Sequence, residues 1–294
     1  MARGLQILIG LTYLLIVWGG LVRRSGSGLG CPDWPLCHGQ LIPPMDPATW
    51  IEYLHRLLAS SVGLFVLGVM IAIWRSAAWR RRLGGQALWL FFLLLAQAGL
   101  GGITVKTELA GWVVAAHLGL ALIFFGLLLR MTARAMDRPL LPRWGWLASL
   151  AVLCQFLLGG LVSGYQAGLA CPDFPTCQGA WWPPFQGLVA LQMLHRLGAV
   201  LVTIVLGLYA VWCLRQGHCR PLGVLLFFLL VLQLALGIGN VLLGLPLIVD
   251  VAHLAVGTAL FGAVVYEPYR RLHCADQTAN RPRLYADGHG GPRG

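Results

Sequence analysis

Charge is what this sequence has least of. Only 11% of its residues are charged, against 58% that are apolar, where a soluble domain carries roughly 25% charged residues. Lysine is almost absent: Lys106 stands alone among twenty arginines, and Asp and Glu together number 10. With a mean hydropathy of +0.76, these shortages exclude a soluble globular domain and leave a polytopic membrane protein. The net charge of +11 does not point to nucleic acid, because the arginines sit in short stretches beside apolar runs, the pattern that marks orientation in a bilayer. No cleavable leader is expected either. Arg3 precedes a long apolar run, but no small-residue cleavage site follows, so the run reads as a retained first helix.

What is present is a repeat. Residues 19–57, GGLVRRSGSGLGCPDWPLCHGQLIPPMDPATWIEYLHRL, recur 140 residues later at 159–197 as GGLVSGYQAGLACPDFPTCQGAWWPPFQGLVALQMLHRL, with 18 of 39 positions identical and no gap. A repeat this dense marks one structural unit used twice. Each copy holds a C-x5-C pair, Cys31/Cys37 and Cys171/Cys177, and a His-Arg dipeptide, His55-Arg56 and His195-Arg196. Three residues before the histidine the copies differ: Glu52 in the first, Gln192 in the second.

A spanning helix needs about 20 mainly apolar residues. Eight segments qualify, at about 5–22, 48–74, 86–105, 111–131, 143–163, 187–214, 221–243 and 247–267. The expected fold class is an all-α integral membrane protein, with two four-helix bundles related by a pseudo-two-fold axis along the membrane normal. The halves are 1–142 and 143–271, and 272–294 reads as a disordered cytoplasmic tail. Arginines follow helix 2 (Arg75, Arg80, Arg81, Arg82), helix 4 (Arg130, Arg134, Arg138, Arg143), helix 6 (Arg215, Arg220) and helix 8 (Arg270, Arg271). That side is cytoplasmic by charge bias, which puts both termini inside and the loops 23–46, 106–110, 164–186 and 244–246 outside. The spacing from His195 to His253 is four residues shorter than that from His55 to His117 (58 against 62). The deletion is expected in a helix connection.

Four histidines fall inside the predicted even-numbered helices, in contexts that rhyme between the halves: His55 (EYLHRL) with His195 (QMLHRL), and His117 (VAAHLG) with His253 (DVAHLA). Asp46-Pro47 is an N-cap with proline at the first helical position, which sets His55 about 9 residues, or roughly 13 Å, into its helix. All four imidazoles are expected at one depth, in the outer half of the bilayer. Ionisable groups within a membrane are costly and mark function, and two histidines on neighbouring helices suit the axial positions of a haem iron. Zinc fits less well, since no i, i+4 histidine pair and no third or fourth ligand accompanies them. Pairing within each half, His55 with His117 and His195 with His253, is the simplest outcome of the repeat; His55 with His195 is the alternative. Arg56 and Arg196 are expected to bind haem propionates, as arginine forks bind carboxylates. The outer cysteines are expected to form disulfides within each loop. Asp33 and Asp173 are expected to cap their loops, and Cys154, Cys213, Cys219 and Cys274 to be thiols. The Gly-rich runs 96–103 and 235–244 read as close helix packing.

The run VRRSGSGLGCPDWPLCHG followed by EYLHR resembles the haem A synthases of cytochrome oxidase assembly, and the resemblance extends over about 3–267. It implies oxidation of a methyl group on haem O to a formyl group, by two hydroxylations and loss of water from the diol. It also implies a resident haem b, a haem O synthase as supplier, and an electron acceptor. The cysteine-bearing first loop is similar to that of a bacterial subgroup; a pair in both halves departs from the minimal pattern. Homo-oligomerisation is left open.

The residues add an assignment of their own. Removing electrons and protons from a methyl carbon calls for a base. Glu52 lies at i−3 to His55, on the same helix face, while Gln192 does not titrate. The first half is therefore expected to hold the substrate haem on His55 and His117 with Glu52 as catalytic group. The second is expected to hold the cofactor haem on His195 and His253. An ion pair of Glu52 with Arg56 is the plainer reading of that carboxylate. A di-haem cytochrome b passing electrons from quinol also uses four histidines, but stacks its haems across the bilayer. A transporter of parallel repeats has no use for four histidines at one depth.

Overall fold

The computed structural model describes residues 1–137, 143–215 and 220–279. Within them the chain is helical, with eight long helices: α1 Ala2–Arg24, α2 Pro47–Arg75, α3 Ala77–Lys106, α4 Gly111–Ala135, α5 Arg143–Gly164, α6 Gly187–Arg215, α7 Arg220–Leu242 and α8 Leu247–Ala279. All eight carry a stretch long and apolar enough to cross a membrane, and no strand occurs among the described residues.

The sequence signals for helix ends act as they should. Asp46, in extended conformation, accepts the N–H of Thr49 at 3.0 Å and Pro47 opens α2, so one orphan donor of the first turn is satisfied. Ser76 alone separates α2 from α3, and its hydroxyl receives the Trp79 N–H. This corrects the expectation of α3 at 86–105. Arg80, Arg81 and Arg82 belong to its first turns and not to a connection, because arginine is a good helix former that an apolar window passes over. α3 has 30 residues to the 23 of α7, and the connection 216–219 between α6 and α7 lies outside the described residues. At the other end, α8 runs to Ala279, so 272–279 continue the helix, while 280–294, Arg138 and Cys219 lie outside the described residues. The side chain of Cys274 does so too.

Helices α1–α4 pack in a ring, α1 on α2, α2 on α3, α3 on α4 and α4 on α1; α5–α8 close a second ring in the same order. The rings join through α4 against α5, α1 against α8 and α4 against α8. Val62, Val66, Val69 and Ile73 of α2 recur at helical spacing and bury against Leu5 and Leu8 of α1 and Leu83, Ala87 and Leu90 of α3. A second core, from Ile16 and Leu122 to Leu206 and Phe261, spans the junction and the second ring. Because lipid is as apolar as leucine, close approach rather than hydrophobic burial holds such helices together. A Cβ on Gly164 would lie 2.5 Å from the carbonyl oxygen of Gly111, so α4 and α5 meet backbone to backbone there.

The junction contacts are reciprocal. A Cβ on Gly20 would meet Leu254, and one on Gly160 would meet Ala115 and Leu118. Gly160 is the repeat partner of Gly20, and Leu118 follows His117 as Leu254 follows His253. Arg23 donates to the carbonyls of Ser163 and Gly164 (3.0 and 3.3 Å), the positions that the 140-residue shift places on Arg23 and Arg24 themselves. Arg24 crosses to the second ring as well, pairing with Asp250 at 2.5 Å and donating to Leu245 O at 3.0 Å.

Candidate functional site

The two long loops at this end of the bundle, 25–46 and 165–186, follow one path. Each contains a disulfide, Cys31–Cys37 and Cys171–Cys177, and a cis bond, Trp34–Pro35 and Phe174–Pro175. Asp33 accepts the N–H groups of His38 (2.6 Å) and Gly39 (2.7 Å), and Asp173 those of Gln178 (2.6 Å) and Gly179 (2.9 Å). Both aspartates cap their loops, as expected of them. The Gly39 N–H above all, with that of His38, lowers the Asp33 pKa. The Thr176 hydroxyl, then the Gly179 and Gln178 N–H groups, lowers that of Asp173 to about 2. His38 and Gln178 adopt φ of 53° and 55° to turn the chain. Cys154 and Cys213 are in no disulfide.

Beneath these loops lie the arginines. Arg56 directs Nη1 to the carbonyls of Asp33 (2.6 Å) and Leu36 (2.7 Å), and Nη2 to that of Cys31 (2.9 Å) and to Glu52 Oε1 (2.5 Å). Its Nε completes the set on Glu52 Oε1 at 3.1 Å. All five guanidinium donors are engaged, and none is left for a haem propionate. Arg196 repeats the clamp on the carbonyls of Thr176, Cys171 and Asp173, each at 2.8 Å, with Phe174 under its plane. Sequence did not disclose this role, since the partners are backbone carbonyls that carry no residue signature.

Glu52 and Gln192 occupy the same place with different partners, each 4% exposed. Glu52 accepts the Cys31 N–H on Oε2 at 2.8 Å and Arg56 on Oε1. Gln192 donates to Gly168 O at 3.3 Å and leaves its Oε1 without a partner. The first-half carboxylate thus joins the disulfide loop to the helix one turn before His55.

The four histidines sit alike. Each imidazole packs on a glycine of the helix before it: His55 on Gly19, His117 on Gly101, His195 on Gly159 and His253 on Gly237. A Cβ at those glycines would stand 3.2, 3.5, 3.0 and 3.0 Å from the imidazole Cε1, so glycine makes the space each ring occupies. The packing reading of the Gly-rich runs holds for Gly101 and Gly237, and what they pack on is the histidines. Nδ1 of His55, His117 and His253 is buried without a partner. His55 lies within electrostatic range of His117, and His195 of His253. Among the described residues no group of three or more His, Cys, Asp or Glu side chains comes together to hold a bare metal ion. Two imidazoles in each half, three of the four with an unpartnered Nδ1, suit a planar group that brings its own equatorial ligands, as haem does.

Three glutamines escaped the sequence reading: Gln97, Gln155 and Gln233 lie against His117, His195 and His253. Their signal was a Q-x3-G spacing in three odd-numbered helices.

Comparison with known proteins adds an independent line. Residues 2–265 match the family model described as cytochrome oxidase assembly protein. The haem A synthase of Shewanella oneidensis is 30% identical over 325 residues, covering 94% of this chain and 98% of the relative. That of Halalkalibacterium halodurans is 32% identical over 288 residues, covering 90% and 96%. That of Geobacillus thermodenitrificans is 32% identical over 290 residues, covering 92% and 90%.

Proposed function

We propose, for a chain that belongs to the cytochrome oxidase assembly protein family, the function of a haem A synthase: an enzyme that oxidises a methyl group of haem O to the formyl group of haem A. The observation that carries the reading is the set of four half-buried histidines, each seated on a glycine of the neighbouring helix. Replacing a methyl group by a formyl group takes up one water-derived oxygen and releases four protons and four electrons. The protein must therefore hold the substrate, take up protons and pass electrons on.

His55 and His117 hold the substrate haem, and His195 and His253 hold a resident haem b. Haem, when bound, supplies an iron that exchanges single electrons. The rest is the work of side chains. Glu52 takes up protons in the first half, where Gln192 in the second has nothing to titrate. Arg56 and the Cys31 N–H keep that carboxylate at the mouth of the bundle. The disulfide loop, with Trp34 lying against Gly102 of α3, covers the first-half histidines and excludes water from them, while Arg196 holds the matching loop in the second half. The reciprocal junction contacts support a two-fold relation between halves 1–142 and 143–271. The arginines at the ends of α2, α4 and α6 support a cytoplasmic membrane location with both termini inside. The disulfide loops then face the oxidising side. A haem O synthase supplies the substrate, and a separate acceptor takes the electrons.

The experiment is chromatography of haem extracted from cells that lack their own haem A synthase, supplied with haem O and expressing this chain. A haem A peak is expected. Haem O unchanged, with the chain present in the membrane, would overturn the assignment.

A further inference from the structure

The glutamines found beside three of the histidines have no part in the chemistry above. Gln97, Gln155 and Gln233 each precede by four residues the glycine on which an imidazole rests: Q-x3-G at 97–101, 155–159 and 233–237. A four-residue step keeps amide and glycine on one helix face, so the amide meets the ring that the glycine seats. Gln97 Nε2 lies 3.4 Å from His117 Nε2 and 3.2 Å from His117 O. Gln155 Nε2 lies 3.0 Å from His195 Nδ1 and 2.9 Å from His195 O. Gln233 Nε2 lies 3.3 Å from His253 Nε2. In all three the amide Oε1 is buried and unpartnered, a costly state for an acceptor. At His55 the pattern fails: four residues before Gly19 stands Leu15, which offers the ring no amide.

Resting on the reading that these histidines ligate haem iron, we propose that Gln97, Gln155 and Gln233 are positioning residues that brace the imidazoles, and that His55 is the one ligand left unbraced so that the substrate haem can enter and leave. An imidazole bound to a metal carries its proton on the other nitrogen, and an acceptor there fixes the ring and raises its basicity. Rotation of each glutamine side chain brings its orphan Oε1 to that proton, Gln97 and Gln155 giving up their bonds to the histidine carbonyls. The second half then has two braced ligands, as a haem that stays requires. The first half has one braced ligand, His117, and one free to swing, as suits a haem that arrives as substrate and departs as product.

The test uses purified holoprotein with Gln155→Met and Gln233→Met, which keep length and remove the acceptor, and Gln155→Glu, which restores it. Two readouts are taken: the midpoint potential of the bound haem and its rate of loss to excess apomyoglobin. The Met variants are expected to have a more positive potential, since a less basic ligand favours ferrous iron. They are also expected to lose haem about 10–100-fold faster, the usual effect of removing such a partner. Gln155→Glu is expected to return both values toward the parent. Leu15→Gln is expected to raise the share of haem A that stays on the protein through purification. Parental potentials and loss rates in both Met variants would overturn the brace, and unchanged haem A retention in Leu15→Gln would overturn the exchange role of His55. His195→Ala and His253→Ala, run alongside, separate the two ideas. If they lose haem while the Met variants behave as the parent, only the brace falls; if they keep it, the histidine reading falls first.

Discussion

Glu52 and Arg56, one helical turn apart on α2, form an ion pair at 2.5 Å beneath the Cys31–Cys37 loop, while Gln192 and Arg196 in the corresponding places of α6 have no such pair. Both arginines clamp loop carbonyls, so the clamp belongs to both halves and the carboxylate to one. The pair is the plainer of the two readings open at the sequence level, and it does not remove the carboxylate from play. A base must be held in place before it can act, and Arg56 with the Cys31 N–H does that holding.

Glu52→Gln keeps the shape and copies the second half. Haem A formation is expected to fall by about 10²–10⁴-fold, the usual contribution of a positioned base, with histidine-bound haem b retained. Haem A formation in membranes, set against the haem b spectrum of the same sample, checks it. The parental rate would reduce Glu52 to an ion-pair residue.

Arg196→Ala removes three hydrogen bonds to loop carbonyls. Bonds with a charged donor are worth about 1.5–3 kcal/mol each and do not add fully, so a loss of roughly 2–4 kcal/mol is expected. The loop 165–186 should become sensitive to protease while helix content stays constant. A loop as resistant as the parent's would refute the clamp.

Loss of the first disulfide is expected to reduce activity more than loss of the second. The Cys31 N–H binds Glu52, whereas the Gln192 amide reaches Gly168 O. Cys31→Ser with Cys37→Ser, compared with Cys171→Ser with Cys177→Ser, should show the larger fall in haem A formation at equal bound haem b. Equal falls would mean that both loops act only as covers.

Acid should loosen the second loop in a defined window. The Asp173 pKa is lowered to about 2 by Thr176, Gly179 and Gln178, against about 3.9 for a free aspartate. A depressed folded value means that the stabilisation is complete above about pH 4 and is lost as pH falls toward about 2. The difference in thermal midpoint between the parent and Asp173→Asn should therefore be constant above about pH 4 and vanish near pH 2. A difference that does not change through that window would contradict the capping role.

Much of this arrangement was legible in the sequence, for reasons that differ by residue. The eight helices declared themselves as apolar runs, and Asp46-Pro47 marked the start of α2 because a cap and an N1 proline are chemical requirements of a first turn. The start of α3 stayed hidden because Arg80, Arg81 and Arg82 are helical but not apolar. The histidines stood out as ionisable groups in apolar helices. Gln97, Gln155 and Gln233 did not, because a neutral amide raises no alarm and the repeat copies them only in part, with Leu15 in the fourth place. Arg56 was given to a propionate because a guanidinium fork suits a carboxylate; its actual partners include carbonyls 20 to 25 residues upstream, placed there only by the folded loop.

The division of labour between the halves is the central claim, and haem composition tests it most directly. Protein purified from cells that supply haem O is extracted and its haems b, O and A are quantified for the parent, for His55→Ala with His117→Ala, and for His195→Ala with His253→Ala. The first pair is expected to lose bound haem O and haem A and to keep haem b; the second is expected to lose haem b. Equal loss of every haem in both pairs would contradict separate substrate and cofactor sites.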